Sequence, residues 1–250
     1  MKFCNALILV FCLAIVISCS KKSDPAPSLA NATISFGKSG QIVTPPSALG
    51  NSQDTHALEV YGDLMEINSL INYTSAFTIP SGVIKTTTPI VGVNVGGRVA
   101  STQQDYLVYI WSDPTYGSVA YQVSETTVSY TFELFYKATG ATVWVRYLDA
   151  EEKKDKTSGF MNIYDPTYTK VGPPDISYVW TRGTNTLNFV ITYLTYTKIV
   201  VNYNTQTKAG DIEAYESNVL SEKLTWDTLG HGTWTDYDTD GTTVISSGTW

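Results

Sequence analysis

From about Ile90 onward, apolar and polar residues alternate with a period of two, and that alternation fixes the fold class. About eleven or twelve short strand-like runs follow one another, divided by turn residues. They are Gln104–Trp111, Ser118–Glu125, Thr127–Lys137, Thr142–Asp149, Ser158–Tyr164, Ile176–Arg182, Thr186–Thr195, Lys198–Asn204, Asp211–Tyr215, Leu220–Trp226, Gly232–Tyr237 and Thr243–Trp250. The connections are short, whereas parallel strands need long crossovers, so the pattern predicts a sequential antiparallel meander. Thr139-Gly140 sits between two of the runs. If Ala138 opposes Ala141, then Phe135 meets Trp144, Leu134 meets Val145 and Glu133 meets Arg146. That register matches like with like and pairs opposite charges. Both faces of this hairpin carry large apolar side chains, so both are expected to be covered.

Upstream the period is different. From His56 to Tyr73 apolar residues recur at helical spacing (Ala57, Val60, Leu64, Ile67, Ile71), with Ser52 or Asp54 placed to cap the first turn. Glu59, Asp63 and Glu66 interrupt the apolar positions, and Gly62 weakens the helix. Ala32–Phe36 reads as a short strand. The expected fold is therefore mainly β: an antiparallel meander (half-barrel, barrel or sandwich) with one N-terminal amphipathic helix.

The first nineteen residues follow another logic. Met1-Lys2 make a positive start, Phe3–Ile17 are apolar but for Asn5, and Ser20-Lys21-Lys22-Ser23-Asp24 turn abruptly polar. That is the layout of a secretory signal. The apolar run is shorter than the ~20 residues a spanning helix needs. Val16-Ile17-Ser18-Cys19 resembles the lipobox of bacterial lipoproteins. The resemblance implies cleavage before Cys19, acylation of its sulfur and attachment to a lipid bilayer. Residues 1–18 are then signal peptide, 19–30 a lipidated tether and 31–250 a single β-rich domain. Ser20 is not the aspartate that retains enterobacterial lipoproteins in the inner membrane, so the convention implies the cell envelope at the outer membrane, with the leaflet open.

Composition narrows the partners. Cleavage removes one basic residue, Lys2, which leaves 15 Lys+Arg against 23 Asp+Glu, a formal charge of −8. An acidic chain repels phosphate backbones, which argues against nucleic acid. Cys4, Cys12 and Cys19 are the three cysteines, all in the leader, so the body is expected to have no disulfide, thiol nucleophile or zinc–thiolate site.

Few residues suggest chemistry. Asp236, Asp238 and Asp240 alternate before Gly241, as in the opening of a calcium-binding loop. Ser247 stands where that loop wants a bidentate glutamate, and Asp240-Gly241 is also a hairpin turn. The readings are a turn or a structural calcium site, and no other cofactor is expected. Gly232-Thr233-Trp234 recurs as Gly248-Thr249-Trp250, the signature of two strands of one hairpin. His56 and His231 read as surface histidines. No catalytic residue is assigned, and an enzyme is the less favoured reading. Tyr109, Trp111, Tyr116, Tyr178 and Trp180 cluster near predicted loops. They fit either a strand core or a binding platform, since amphipathic rings suit sugar or protein surfaces.

The order helix, then meander, is similar to that of periplasmic lipoprotein carriers of the LolA/LolB type, whose half-barrel implies an enclosed apolar cavity. The expectation is a membrane-anchored, non-catalytic envelope lipoprotein binding an amphiphile, glycan or envelope protein. The alternatives are an all-β glycan hydrolase with paired carboxylates, or a structural subunit of a surface assembly.

Overall fold

The computed structural model describes residues 27–36, 42–75, 79–93, 105–115, 117–165, 167, 172–194 and 196–250. Among the described residues three helices come first, α1 (Pro27–Ala30), α2 (Ser47–Gly50) and α3 (Thr55–Ser75). Thirteen strands follow: β1 (Ile84–Thr86), β2 (Tyr106–Asp113), β3 (Gly117–Glu125), β4 (Ser129–Lys137), β5 (Val145–Lys153), β6 (Ser158–Ile163), β7 (Ile176–Arg182), β8 (Thr186–Tyr193), β9 (Thr197–Asn204), β10 (Gly210–Glu216), β11 (Val219–Trp226), β12 (Gly232–Tyr237) and β13 (Val244–Thr249). Each pairs antiparallel with its sequence neighbour, in one open meander with β1 and β13 at its edges. At ~4.8 Å per strand the sheet is roughly 58 Å wide.

Asp54 starts α3 by accepting hydrogen bonds from the N–H groups of His56 (2.9 Å) and Ala57 (3.3 Å). Ala57, Val60, Leu64, Ile67 and Leu70 are fully buried on the face α3 turns to the sheet. Among the described residues no helix is long and apolar enough to cross a membrane.

Ala32–Phe36 is not a strand. It is irregular chain laid on the inner, α3-facing side of the sheet. The Phe36 ring centroid lies 4.8 Å from that of Trp180, and Glu152 accepts bonds from the Ser35 N–H and hydroxyl. Leu29 is 1% exposed in the same core. The packed body therefore begins by Leu29, inside the segment expected to be tether.

The β4–β5 hairpin departs from the expected register. The turn forms where foreseen, with Ala141 N–H donating to Ala138 O at 2.9 Å. Trp144, however, bridges to Gly92 rather than to β4. Pairing starts at Tyr136↔Val145 and Phe135↔Arg146, then slips at a bulge to Leu134↔Leu148 and Glu133↔Asp149. In a regular strand Arg146 and Asp149, three apart, would face opposite ways. The bulge inserts one residue and turns both to the outer face.

A buried polar network results there. Gln122 donates to Glu133 (2.7 Å), Tyr164 O–H donates to Asp149 (2.8 Å), and Arg146 lies 3.8 Å from Glu133 and 3.6 Å from Asp149. The Ile90 N–H donates to Gln122 at 2.7 Å, so the chain before β2 crosses this face. The hairpin is covered on both sides, as expected. Burial, the Asp149 charge and its hydrogen bond push the Tyr164 hydroxyl up to about 12.

Candidate functional site

The sequence-predicted aromatics lie mostly inside. Tyr109, Tyr178 and Trp180 are 6%, 3% and 0% exposed, and Trp111 packs half-buried against the same core. Trp180 stacks on Phe189 at 6.4 Å. These four are core residues rather than a surface platform. Tyr116 and Cys19, with the rest of the leader, lie outside the described residues.

Four tryptophans share one device. Trp180, Trp226, Trp234 and Trp250 each lie over the bare backbone of a facing glycine, namely Gly159, Gly210, Gly248 and Gly232. The repeated Gly-Thr-Trp triplets are thus a reciprocal pair, each glycine receiving the other strand's indole. Such aromatic cover protects an otherwise weak strand glycine.

The three aspartates do not converge. Asp240 accepts from the N–H groups of Thr242 and Thr243 and from the Thr243 hydroxyl, which holds its carboxyl down to about 2. Asp238 accepts from the Thr239 N–H. Both serve the β12–β13 turn. Asp236 faces inward from β12, opposite Glu222 of β11.

Asp236 and Glu222 belong to a seam of acid between α3 and the sheet. His56, Glu59, Asp63 and Glu66 recur along α3 at intervals of three, four and three, so they form one stripe. His56 is not a free surface residue. Its ring stacks on Trp234 at 4.2 Å and 10°. At the other end of the stripe Tyr193 of β8 donates to Glu66 at 2.6 Å. Between them, one donor atom each from His56, Glu222 and Asp236 lie within 4.8 Å of one another. Asp236 also accepts from the Ser246 hydroxyl at 2.6 Å. Lys223 points to the opposite face, where it pairs with Glu213 at 2.8 Å.

Two of these acids, Asp63 and Glu222, hold their protons more tightly than usual. Burial, then the Glu59 and Glu66 charges, push Asp63 up to about 7. Burial, then Glu59 through charge and a hydrogen bond, then Asp236 and Asp63, push Glu222 up to about 8. Both groups hold protons more tightly folded than unfolded. Between their ordinary values near 4 and about pH 8, the folded chain therefore carries more protons. Stability is full on the acid side and falls as pH rises through that window. In EDTA, Tm is expected to be several degrees lower at about pH 8.5 than at about 5.5. Glu222→Gln should flatten the slope and exceed the wild type at the alkaline end. A wild-type Tm that rises with pH across this range contradicts the assignment.

The outer face of the sheet offers a different surface. A shallow groove of about 570 Å³ runs over β5–β7, with Phe160 and Val179 at its floor and Glu151, Lys153, Ser158, Asn162, Ser177 and Thr181 around them. Beside it Asn188 donates to Asn202 (2.7 Å), Asn202 donates to Asp211 (2.9 Å), and the Thr225 and Thr233 hydroxyls bond at 2.6 Å. A second depression of about 450 Å³ takes in the Asn188, Asn202 and Asp211 part of this ladder.

No protein-family model matches this chain, and no curated protein emerges as a relative.

Proposed function

We propose that the protein is a lipid-anchored, non-catalytic envelope protein that binds a glycan-class ligand on the outer face of its sheet. The observation that carries this reading is the groove over β5–β7. Its volume suits a small ligand, and it offers an aromatic and an aliphatic floor within hydroxyl, amide and charged groups. A sugar ring presents the same mixture, one apolar face edged by hydroxyls. The neighbouring Asn–Asp–Thr ladder would extend the hydrogen-bonding surface across further sugar units. An amphiphile in an enclosed half-barrel is less well supported, because Leu29, Phe36, Ile42 and Leu49 fill the space between sheet and helix. In this reading acylated Cys19 holds the body at the outer membrane.

The hydrolase reading gains one observation, the adjacent Glu222–Asp236 pair, in which burial and neighbouring acids push Glu222 up to about 8. That pair faces α3 rather than either outer groove, so binding is the better-supported role.

The test is equilibrium binding of a panel of envelope and dietary oligosaccharides to the purified chain. At least one should bind saturably, and Phe160→Ala should weaken it about tenfold or more, as loss of a central aromatic contact does. Binding unchanged by that substitution, or no binding across the panel, overturns the proposal.

A further inference from the structure

The seam between α3 and the sheet carries an inference beyond ligand binding on the outer face. We propose that His56, Glu222 and Asp236 hold one divalent transition-metal ion of the zinc class, which ties the first turn of α3 to the β11–β12 hairpin. The three side chains come from three elements, with their donor atoms already within 4.8 Å of one another. One imidazole and two carboxylates make a donor set for zinc-like ions, whereas calcium prefers oxygen alone.

The histidine is held as a metal-bound histidine is held. Trp234 fixes the plane of its ring, and the Asp54 carboxylate lies 3.5 Å from Nδ1. A carboxylate behind a ligating imidazole is the usual second support of such sites. The surrounding charge also asks for a cation. Glu59, Asp63 and Glu66 from α3 face Glu222 from β11 and Asp236 from β12. Among the described residues no lysine or arginine forms an ion pair with any of the five. A bound ion displaces protons from its imidazole and carboxylate ligands, so binding releases protons and strengthens as pH rises.

The experiment is calorimetric titration of the EDTA-stripped full chain with Zn²⁺ and with Ca²⁺, at about pH 8 and about pH 6, in buffers of different ionisation enthalpy. The expected result is one Zn²⁺ per chain at the higher pH, with proton release, Ca²⁺ much weaker, and Zn²⁺ affinity about tenfold or more lower at the acid pH. His56→Gln, Glu222→Gln and Asp236→Asn should each weaken Zn²⁺ by about tenfold or more, while Asp240→Asn, in the turn, leaves it unchanged. Thermal melts in EDTA show which variants are folded. If His56→Gln is not, the other two isosteric variants decide. Absence of saturable Zn²⁺ binding, or binding that folded Glu222→Gln and Asp236→Asn retain in full, overturns the site.

Discussion

Gly159→Ala is expected to destabilise the protein by about 3 kcal/mol, the upper end of ordinary overpacking, and to lower Tm by roughly 6–12 °C. A Cβ at this position would sit 2.2 Å from Trp180 Cζ2 and 2.5 Å from the Glu151 carbonyl oxygen. Neither neighbour can give way. Trp180 is 0% exposed and lies between Phe36 and Phe189, and Glu151 belongs to β5, which pairs with β6 at this point. Gly62→Ala supplies the opposite sign from the same chemical change. Gly62 is exposed on α3 with nothing within 4 Å of an added Cβ, so alanine should stabilise by up to ~1 kcal/mol. Thermal or urea unfolding of the two variants decides. A tolerated Gly159→Ala means that the indole does not lie on that glycine.

Arg146→Met should cost about 3–5 kcal/mol, the usual penalty for removing one partner of a buried ion pair. Arg146 is 6% exposed and stands between Glu133 and Asp149, themselves 8% and 5% exposed. Methionine keeps much of the stem and leaves two buried carboxylates facing each other across β4 and β5. Because protonation removes that repulsion, the deficit should be smaller at about pH 4.5 than at about pH 7.5. Urea unfolding of wild type and variant at both pH values measures it. A loss under about 1 kcal/mol would place these groups in contact with water.

Most of the fold was legible because strands and helices leave different periods. The runs at Ile176–Arg182 and Gly232–Tyr237 coincide with β7 and β12, and α3 starts at the cap that Asp54 provides. What could not be read depends on contacts between distant segments. Pairing of Trp144 with Gly92 pulled β5 out of the register that side-chain matching favours, and the bulge then built the Arg146 network. Phe36 and Ile34 looked like a strand because a core plug and a strand both need apolar residues. The seam was present in the sequence as the 3-4-3 spacing of His56, Glu59, Asp63 and Glu66. Its partners, Glu222 and Asp236, are more than a hundred and fifty positions away, and only the sheet brings them to the helix. Conversely, Tyr109, Trp111, Tyr178 and Trp180, which suggested a platform, belong to the core itself. Tyr178 and Trp180 alternate inward along β7, while the outward positions between and beside them carry Ser177, Val179 and Thr181.

The proposed role rests on attachment of this sheet to a lipid bilayer through one sulfur. Mass spectrometry of the protein purified from its native membranes tests that attachment most directly. The expected N-terminal peptide begins at Cys19 and carries the mass of a diacylglyceryl group. A peptide that retains Met1, or one that begins elsewhere without lipid, contradicts the anchor and the envelope role drawn from it.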